Sequence, residues 1–170
     1  MQADLRLTPT SYIVLGLLAW AGEATPYDLK RMVATSIGNF WSLQHAQLYT
    51  EPERLARAGL LVEEREQGGR RRKRYRITRA GRRALRDWLA TPSGELTELR
   101  DIGLLQLFFG ADPAALAATQ LETHRAKLAE YEALHETPLL EELTGPRLAL
   151  EAGIGHQREW IRFWERLAKE

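Results

Sequence analysis

The chain of 170 residues contains no cysteine. That absence removes disulfide frameworks, thiolate zinc sites, iron–sulfur clusters and thiol catalysis. It fits a reducing compartment, and a cytoplasmic location is the expectation. Long apolar runs are also missing. The longest, Tyr12 to Ala21, falls well short of the ~20 residues that span a bilayer, and no basic segment leads into it as in a secretory signal. No membrane partner is expected. Net charge is nearly absent, with 24 Lys and Arg against 23 Asp and Glu for a formal +1. At 44% apolar and 28% charged residues the chain still has material for a core, which excludes collagen-like, low-complexity and compositionally disordered classes.

Catalytic and metal-binding constellations are lacking as well. The histidines stand at His45, His124, His135 and His156, and no two share the i, i+4 spacing of zinc ligands on one helix. His45 reads as a hydrogen-bonded core residue rather than a ligand. There is no phosphate-cradling glycine loop and no Gly-x-Ser-x-Gly. Glu63-Glu64 and Glu141-Glu142 point to different sides of their elements, so neither pair is a ready acid–base couple. The expectation is a non-enzyme with no metal and no cofactor.

What is present is charge segregation. Residues 1–92 hold 16 Lys and Arg against 9 Asp and Glu, or +7; residues 93–170 hold 8 against 14, or −6. Asymmetry of this kind points to a polyanionic partner on the basic side. The breaker cluster Thr91-Pro92-Ser93-Gly94 marks the boundary. It divides the chain into a basic segment, 1–92, and an acidic segment, 93–170.

In the basic half, Thr8-Pro9 opens a helix that is apolar nearly all round, from Tyr12 through Trp20, and Gly22 stops it. A second helix opens at Thr25-Pro26 with Asp28 complementing its dipole, and ends near Ser36-Ile37-Gly38. A third is expected after Ser42, its apolar face formed by Trp41, His45, Leu48, Pro52 and Leu55. The opposite face presents Gln44, Gln47, Glu51 and Arg54, residue types that pair with base edges; a plain solvated face is the other reading, and the helix taken alone favours it. Pro52 could kink the helix or restart it at the capping pattern Thr50–Glu53, and a kink is the expectation.

Leu60–Glu66 and Arg70–Ile77, joined by Gly68-Gly69, predict a β-hairpin in which Tyr75 and Ile77 alternate with Arg74 and Arg76. Thr78 caps a fourth helix carrying Leu85, Trp88 and Leu89. Three helices followed by a two-stranded wing make a winged helix-turn-helix. The fold class is therefore mainly α with one β-hairpin. Between residues 65 and 86 lie eleven Lys and Arg and a single acid, Glu66. Self-repulsion of that density is relieved by a polyanion, and arginine suits forked phosphate contacts.

The acidic half predicts an apolar helix over Leu96–Phe109 and a long helix capped by Asp112-Pro113. Leu121, His124, Leu128, Tyr131 and His135 follow 3-4-3-4 spacing. After a break at Thr137-Pro138 comes a last helix over about Arg147–Ala168, with Trp160, Phe163, Trp164 and Leu167 on one face and Gly153-Ile154-Gly155 loosening its start. The stripe fits an intrachain pack or a subunit interface. The interface is the reading adopted, with Leu121, Leu128, Tyr131, Trp160, Phe163, Trp164 and Leu167 as dimerisation residues.

Leu15-Gly16-Leu17-Leu18, Tyr27-Asp28-Leu29-Lys30, Phe40-Trp41-Ser42, His45-Ala46-Gln47-Leu48-Tyr49, Arg54-Leu55, Gly59-Leu60-Leu61 and Tyr75-Arg76-Ile77-Thr78-Arg79-Ala80-Gly81 together resemble the PadR family of bacterial transcriptional regulators. Leu104-Leu105 to Phe108-Phe109-Gly110 resembles the longer subfamily related to the virulence activator AphA. The resemblance implies a homodimer in which each winged helix reads one half-site of an inverted repeat in double-stranded DNA. It implies repression, relieved in some members by small aromatic or lipophilic effectors held between the two domains, for which Trp20, Trp41 and His45 are candidates; ordinary core aromatics are the other reading. Family members mostly carry Pro directly after the Tyr and a small Gly or Ser where Ala46 stands; here Thr50 follows Tyr49. Two family roles are therefore carried over, a DNA-backbone contact for Tyr49 and phosphate contacts for Arg70, Arg71, Arg72 and Lys73. With Gln44, Gln47, Thr50 and Arg54 these form the expected DNA-binding set. An RNA-binding winged helix and a protein-interaction module are the competing functions.

Overall fold

The computed structural model describes residues 6–65 and 72–169, and the chain divides into two compact units, Met1–Glu95 and Leu96–Glu170. In the first unit α1 (Pro9–Ala21) opens on a capping box: Thr8 accepts from the Ser11 amide while the Ser11 hydroxyl accepts from the Thr8 amide at 2.8 Å. Val14, Leu15, Leu17 and Leu18 of this helix are wholly or almost wholly buried. The helix is therefore the centre of the core. Trp20 lies at its far end and is 59% exposed, so it does not take part.

A two-residue strand, β1 (Glu23–Ala24), precedes α2 (Pro26–Ala34), which opens on a second capping box between Thr25 and Asp28. Hydrogen bonds from the Thr25 hydroxyl and amide hold the Asp28 carboxyl below its ordinary value. A single 3-10 turn, Ile37–Asn39, leads to an irregular segment. The next helix, α3, spans Gln47–Arg57 rather than starting after Ser42. Strands β2 (Leu61–Arg65) and β3 (Lys73–Ile77) follow, then α4 (Arg79–Leu89) capped by Thr78.

The expected hairpin is part of a three-stranded antiparallel sheet in the order β1-β3-β2. Glu23 pairs with Arg76 on one side of β3, and Val62 pairs with the same residue on the other. The period-two reading of β3 holds: Tyr75 and Ile77 point into the core and Arg74 and Arg76 to solvent. Leu29, Val33, Leu48, Leu55, Leu61, Tyr75 and Ile77 close over α1. Helix α4 lies against α1 through Gly81, Leu85 and Trp88, whose ring stacks on Tyr12 at 4.5 Å.

In the second unit the first helix is shorter than expected. Helix α5 covers Ile102–Phe108, and residues 92–101 have no regular structure. Asp101 sets the start by accepting from the Leu104 amide at 2.9 Å. Helix α6 (Pro113–His135) begins at Asp112-Pro113 as expected, and a short α7 (Pro138–Glu141) leads into α8 (Thr144–Leu167), which runs unbroken through Gly153 and Gly155. Helices α6 and α8 pack antiparallel, with His124 hydrogen-bonded to Gln157 at 2.7 Å and Tyr131 lying over Gly153.

Candidate nucleic-acid interface

Helix α3 has two faces. Leu48, Glu51, Pro52 and Leu55 recur at i, i+3, i+4, i+7 and are buried. Gln47, Thr50 and Arg57 stand on the outer side and are exposed, as is Tyr49 at 47%. The helix is neither broken nor restarted at Thr50. Pro52 sits inside it with its ring buried in the core, and the Thr50 hydroxyl donates to the Ala46 carbonyl instead of capping toward Glu53. The later start moves Trp41, Gln44 and His45 off the helix. Trp41 is 43% exposed, and His45 and Gln44 are exposed in the segment that leads in. Neither Trp41 nor His45 is a core residue, and Gln44 does not share the outer face of the helix.

Glu51 departs from the sequence reading most clearly. Instead of facing solvent it is buried and accepts from the Ser11 hydroxyl at 2.6 Å. Arg54 grips the same carboxylate with two prongs, Nε at 2.8 Å and Nη2 at 2.6 Å, and also donates to Ser11 Oγ at 3.0 Å and to the Arg6 carbonyl at 3.3 Å. Burial pushes the Glu51 carboxyl up, but the hydrogen bonds from Arg54 and Ser11 and the guanidinium charge outweigh it and hold the group below its ordinary value. The hydrogen bonds that Arg54 donates to Glu51 raise the guanidinium in turn. A base contact by Arg54 would require it to leave this fork. The outer face therefore consists of Gln47, Thr50 and Arg57. The sequence reading passed over Arg57, although it lies seven residues, about two helical turns, after Thr50 and so on the same side.

The wing is tied to this helix. Lys73 Nζ bonds Glu53 of α3 and lies 3.6 Å from Glu63 of β2. Glu63 also accepts from Arg65 at 3.0 Å and from the Tyr75 hydroxyl at 3.1 Å. Burial raises the Glu63 carboxyl, while the bonds from Arg65 and Tyr75 and the charges of Lys73 and Arg65 bring it below its ordinary value. Burial, and then the Glu63 contact, drives the Tyr75 phenol up. Arg74 pairs with Glu23 at 2.8 Å, and Arg76 pairs with Glu64. Arg72 is exposed with no ion pair among the described residues. Arg70 and Arg71, together with the Gly68-Gly69 turn, lie outside the described residues.

The remaining expected site residues fall elsewhere. Trp20, Trp41 and His45 are exposed, and none lines the open hollow of about 510 Å³ formed by Leu105, Gln106, Phe109, Gly110 and Ala111. Leu121, Leu128, Trp160, Phe163, Trp164 and Leu167 meet one another within the second unit, in a cluster that also takes in Ala117 and Ile161. Trp164 is 0% exposed, and Tyr131 is covered by α8. The intrachain reading of the aromatic stripe is thus the one observed within this chain.

Among the described residues no group of acids and histidines is arranged to hold a metal ion, and no helix is long and apolar enough to cross a membrane.

Comparison with known proteins agrees with both halves of the chain. Residues 14–87 match the transcriptional regulator PadR-like family, and residues 99–170 match the virulence activator alpha C-terminal family. The negative transcriptional regulator PadR of Bacillus subtilis (strain 168) is 29% identical over 132 residues, covering 74% of this chain and 72% of that protein. The crystal structure of B. subtilis PadR in complex with operator DNA matches at a TM-score of 0.84 and 24% identity, over 98% of this chain and 100% of that one. Its complex with p-coumaric acid matches at 0.77 and 24% identity, over 94% and 96%. The Vibrio cholerae virulence activator AphA matches at 0.69 and 26% identity, over 94% and 96%. These relatives are regulators of transcription, not enzymes.

Proposed function

We propose that this chain, whose residues 14–87 match the PadR-like family of transcriptional regulators, is a homodimeric repressor that binds an inverted-repeat operator in double-stranded DNA. The observation that carries this reading is the pairing of α3 with the wing. The helix offers Gln47, Thr50, Arg57 and Tyr49 outward, while Glu51 and Pro52 seat its inner face and Lys73 fastens β3 to Glu53. Gln and Arg are the side chains that make two-pronged contacts with adenine and guanine in the major groove, and a basic strand fastened to that helix supports phosphate contacts beside it as part of this reading. Tyr49, Arg70, Arg71, Arg72 and Lys73 serve the backbone in this scheme. The 1–92 segment is the DNA-binding domain and 93–170 the dimerisation domain.

Dimerisation is supported by the apolar side chains that the second unit leaves outside its own core. Ile102, Leu105, Phe108 and Phe109 are more than half exposed, a density that marks an association surface. The B. subtilis relative solved with p-coumaric acid supports a small aromatic acid as effector.

A gel-shift titration against the DNA upstream of the gene tests the reading. Retardation that a scrambled duplex and single-stranded RNA fail to compete is expected. Equal competition by RNA would favour the RNA-binding alternative, and no retardation would leave the basic face to a protein partner. Tryptophan fluorescence titrated with p-coumaric acid tests the effector: a saturable change accompanied by release of DNA is expected, and a flat titration contradicts it.

A further inference from the structure

Resting on that reading, we propose that α4 is a second phosphate-binding element, separate from the wing and from α3, and that its arginines grip the DNA backbone without reading sequence. Arg79, Arg82, Arg83 and Arg86 recur at i, i+3, i+4 and i+7, and all are exposed. At 3.6 residues per turn they fall within about 100° of arc. Gly81, Leu85 and Trp88, which face the core and α1, lie on the opposite side of the helix. The stripe is therefore held outward by the packing of the other face.

Two observations separate this stripe from an ordinary solvated surface. The first is the fate of the neighbouring cations. Arg65, Lys73, Arg74 and Arg76 of the sheet each have a carboxylate within the chain, Glu63, Glu53, Glu23 and Glu64 respectively. None of the four arginines of α4 forms an ion pair or a side-chain hydrogen bond among the described residues. Those four sheet cations must give up a partner to meet a phosphate; the arginines of α4 need not.

The second is that the arrangement opposes helix stability. Arginines three and four residues apart repel one another along the same face. Arg79, at the first helical position, sits at the positive end of the helix dipole, where an acid would be favourable. Asp87 is the only acid on the helix, and it pairs with none of them. A stripe that works against its own helix, and that no internal acid neutralises, is complementary to a polyanion with charges repeated along its length. Duplex DNA is such a polyanion, and forked guanidinium groups match its phosphates. An acidic protein is the competing occupant, and the test distinguishes it.

The experiment uses the full chain and a variant carrying Arg79→Gln, Arg82→Gln, Arg83→Gln and Arg86→Gln, with a fluorescent random-sequence duplex as probe. Affinity is measured by anisotropy across a salt series. The slope of log affinity against log salt is expected to fall by about 0.9 for each arginine that reaches a phosphate. The ratio of operator to random-duplex affinity is expected to stay the same, and the melting temperature to hold or rise as repulsion is relieved. An unchanged slope overturns the proposal and leaves the stripe to an acidic protein. Loss of operator preference with an unchanged slope overturns it too, because the arginines would then be reading bases. If the unmodified chain binds no duplex at all, the regulator reading itself has failed, an outcome distinct from a variant that binds with the parental slope.

Discussion

Ser11 Oγ satisfies three needs with one atom. It accepts from the Thr8 amide to start α1, accepts from Arg54, and donates to the buried carboxylate of Glu51. That uses the one donor and two acceptor sites of a hydroxyl. Ser11→Ala leaves Glu51 short of a donor in the interior and is expected to cost about 1–3 kcal/mol in urea denaturation. The acid dependence has a definite sign. The folded Glu51 carboxyl lies below its ordinary value of 4.5, so the unfolded chain binds the extra proton. Its contribution is fully present above about pH 4.5 and is lost as the pH falls through the lower, folded value. Glu51→Gln is expected to be less stable than the parent at pH 7 and to lose less stability on acidification, read as urea midpoints at pH 7 and below pH 4. A parallel acid dependence in both proteins would contradict the assignment. Residue type misleads at this position: the i, i+3, i+4, i+7 stripe of α3 includes Glu51, but a carboxylate in an apolar stripe is assigned to solvent unless its partner is visible, and Ser11 lies 40 positions away.

At the level of elements, Gly81 fixes how α4 meets the sheet. A Cβ at this position would run into the Leu60 carbonyl oxygen and the Ile77 side chain. Gly81→Ala is expected to destabilise the fold by about 1–3 kcal/mol, as overpacking does, with the unfolding midpoint as the measure; an unchanged midpoint would contradict the contact. Elements whose signals are local were legible in the sequence. Thr8-Pro9, Thr25-Pro26 with Asp28, Thr78 and Asp112-Pro113 all cap the helices expected of them. Where the deciding contact is distant, the reading failed. Strand β1 has two residues, too few to show a period, and exists because β3 offers a free edge. Helix α3 starts late because Ala46 in a turn opens it, not the hydroxyl of Ser42. The 3-4-3-4 seam of α6 and the aromatic stripe of α8 were both visible, but periodicity does not say whether a stripe meets its own chain or another; here each is the other's partner.

For the whole molecule, the formal charge of +1 is the near-cancellation of +7 in residues 1–92 and −6 in residues 93–170. The ion pairs refine this further. Much of the sheet's positive charge is neutralised internally, and among the described residues the unpaired cations include Arg72, Arg57 and the stripe on α4. Because α6 and α8 pack their aromatic stripes against each other, the proposed dimer is assigned to the apolar residues left outside. Sedimentation velocity is expected to give twice the chain mass, and Leu105→Glu with Phe108→Glu is expected to give a monomer that keeps its helical content. A parent that sediments as a monomer would contradict the dimer.

The central claim is that two copies of α3 and its wing read the two halves of one operator. Hydroxyl-radical footprinting on the upstream DNA measures this directly. Two protected patches, related by a dyad and centred a whole number of helical turns apart, about 34 Å or a multiple of it, are predicted. Both patches should weaken with Gln47→Ala and Thr50→Ala. A single patch, uniform protection, or protection indifferent to those two substitutions would contradict the account.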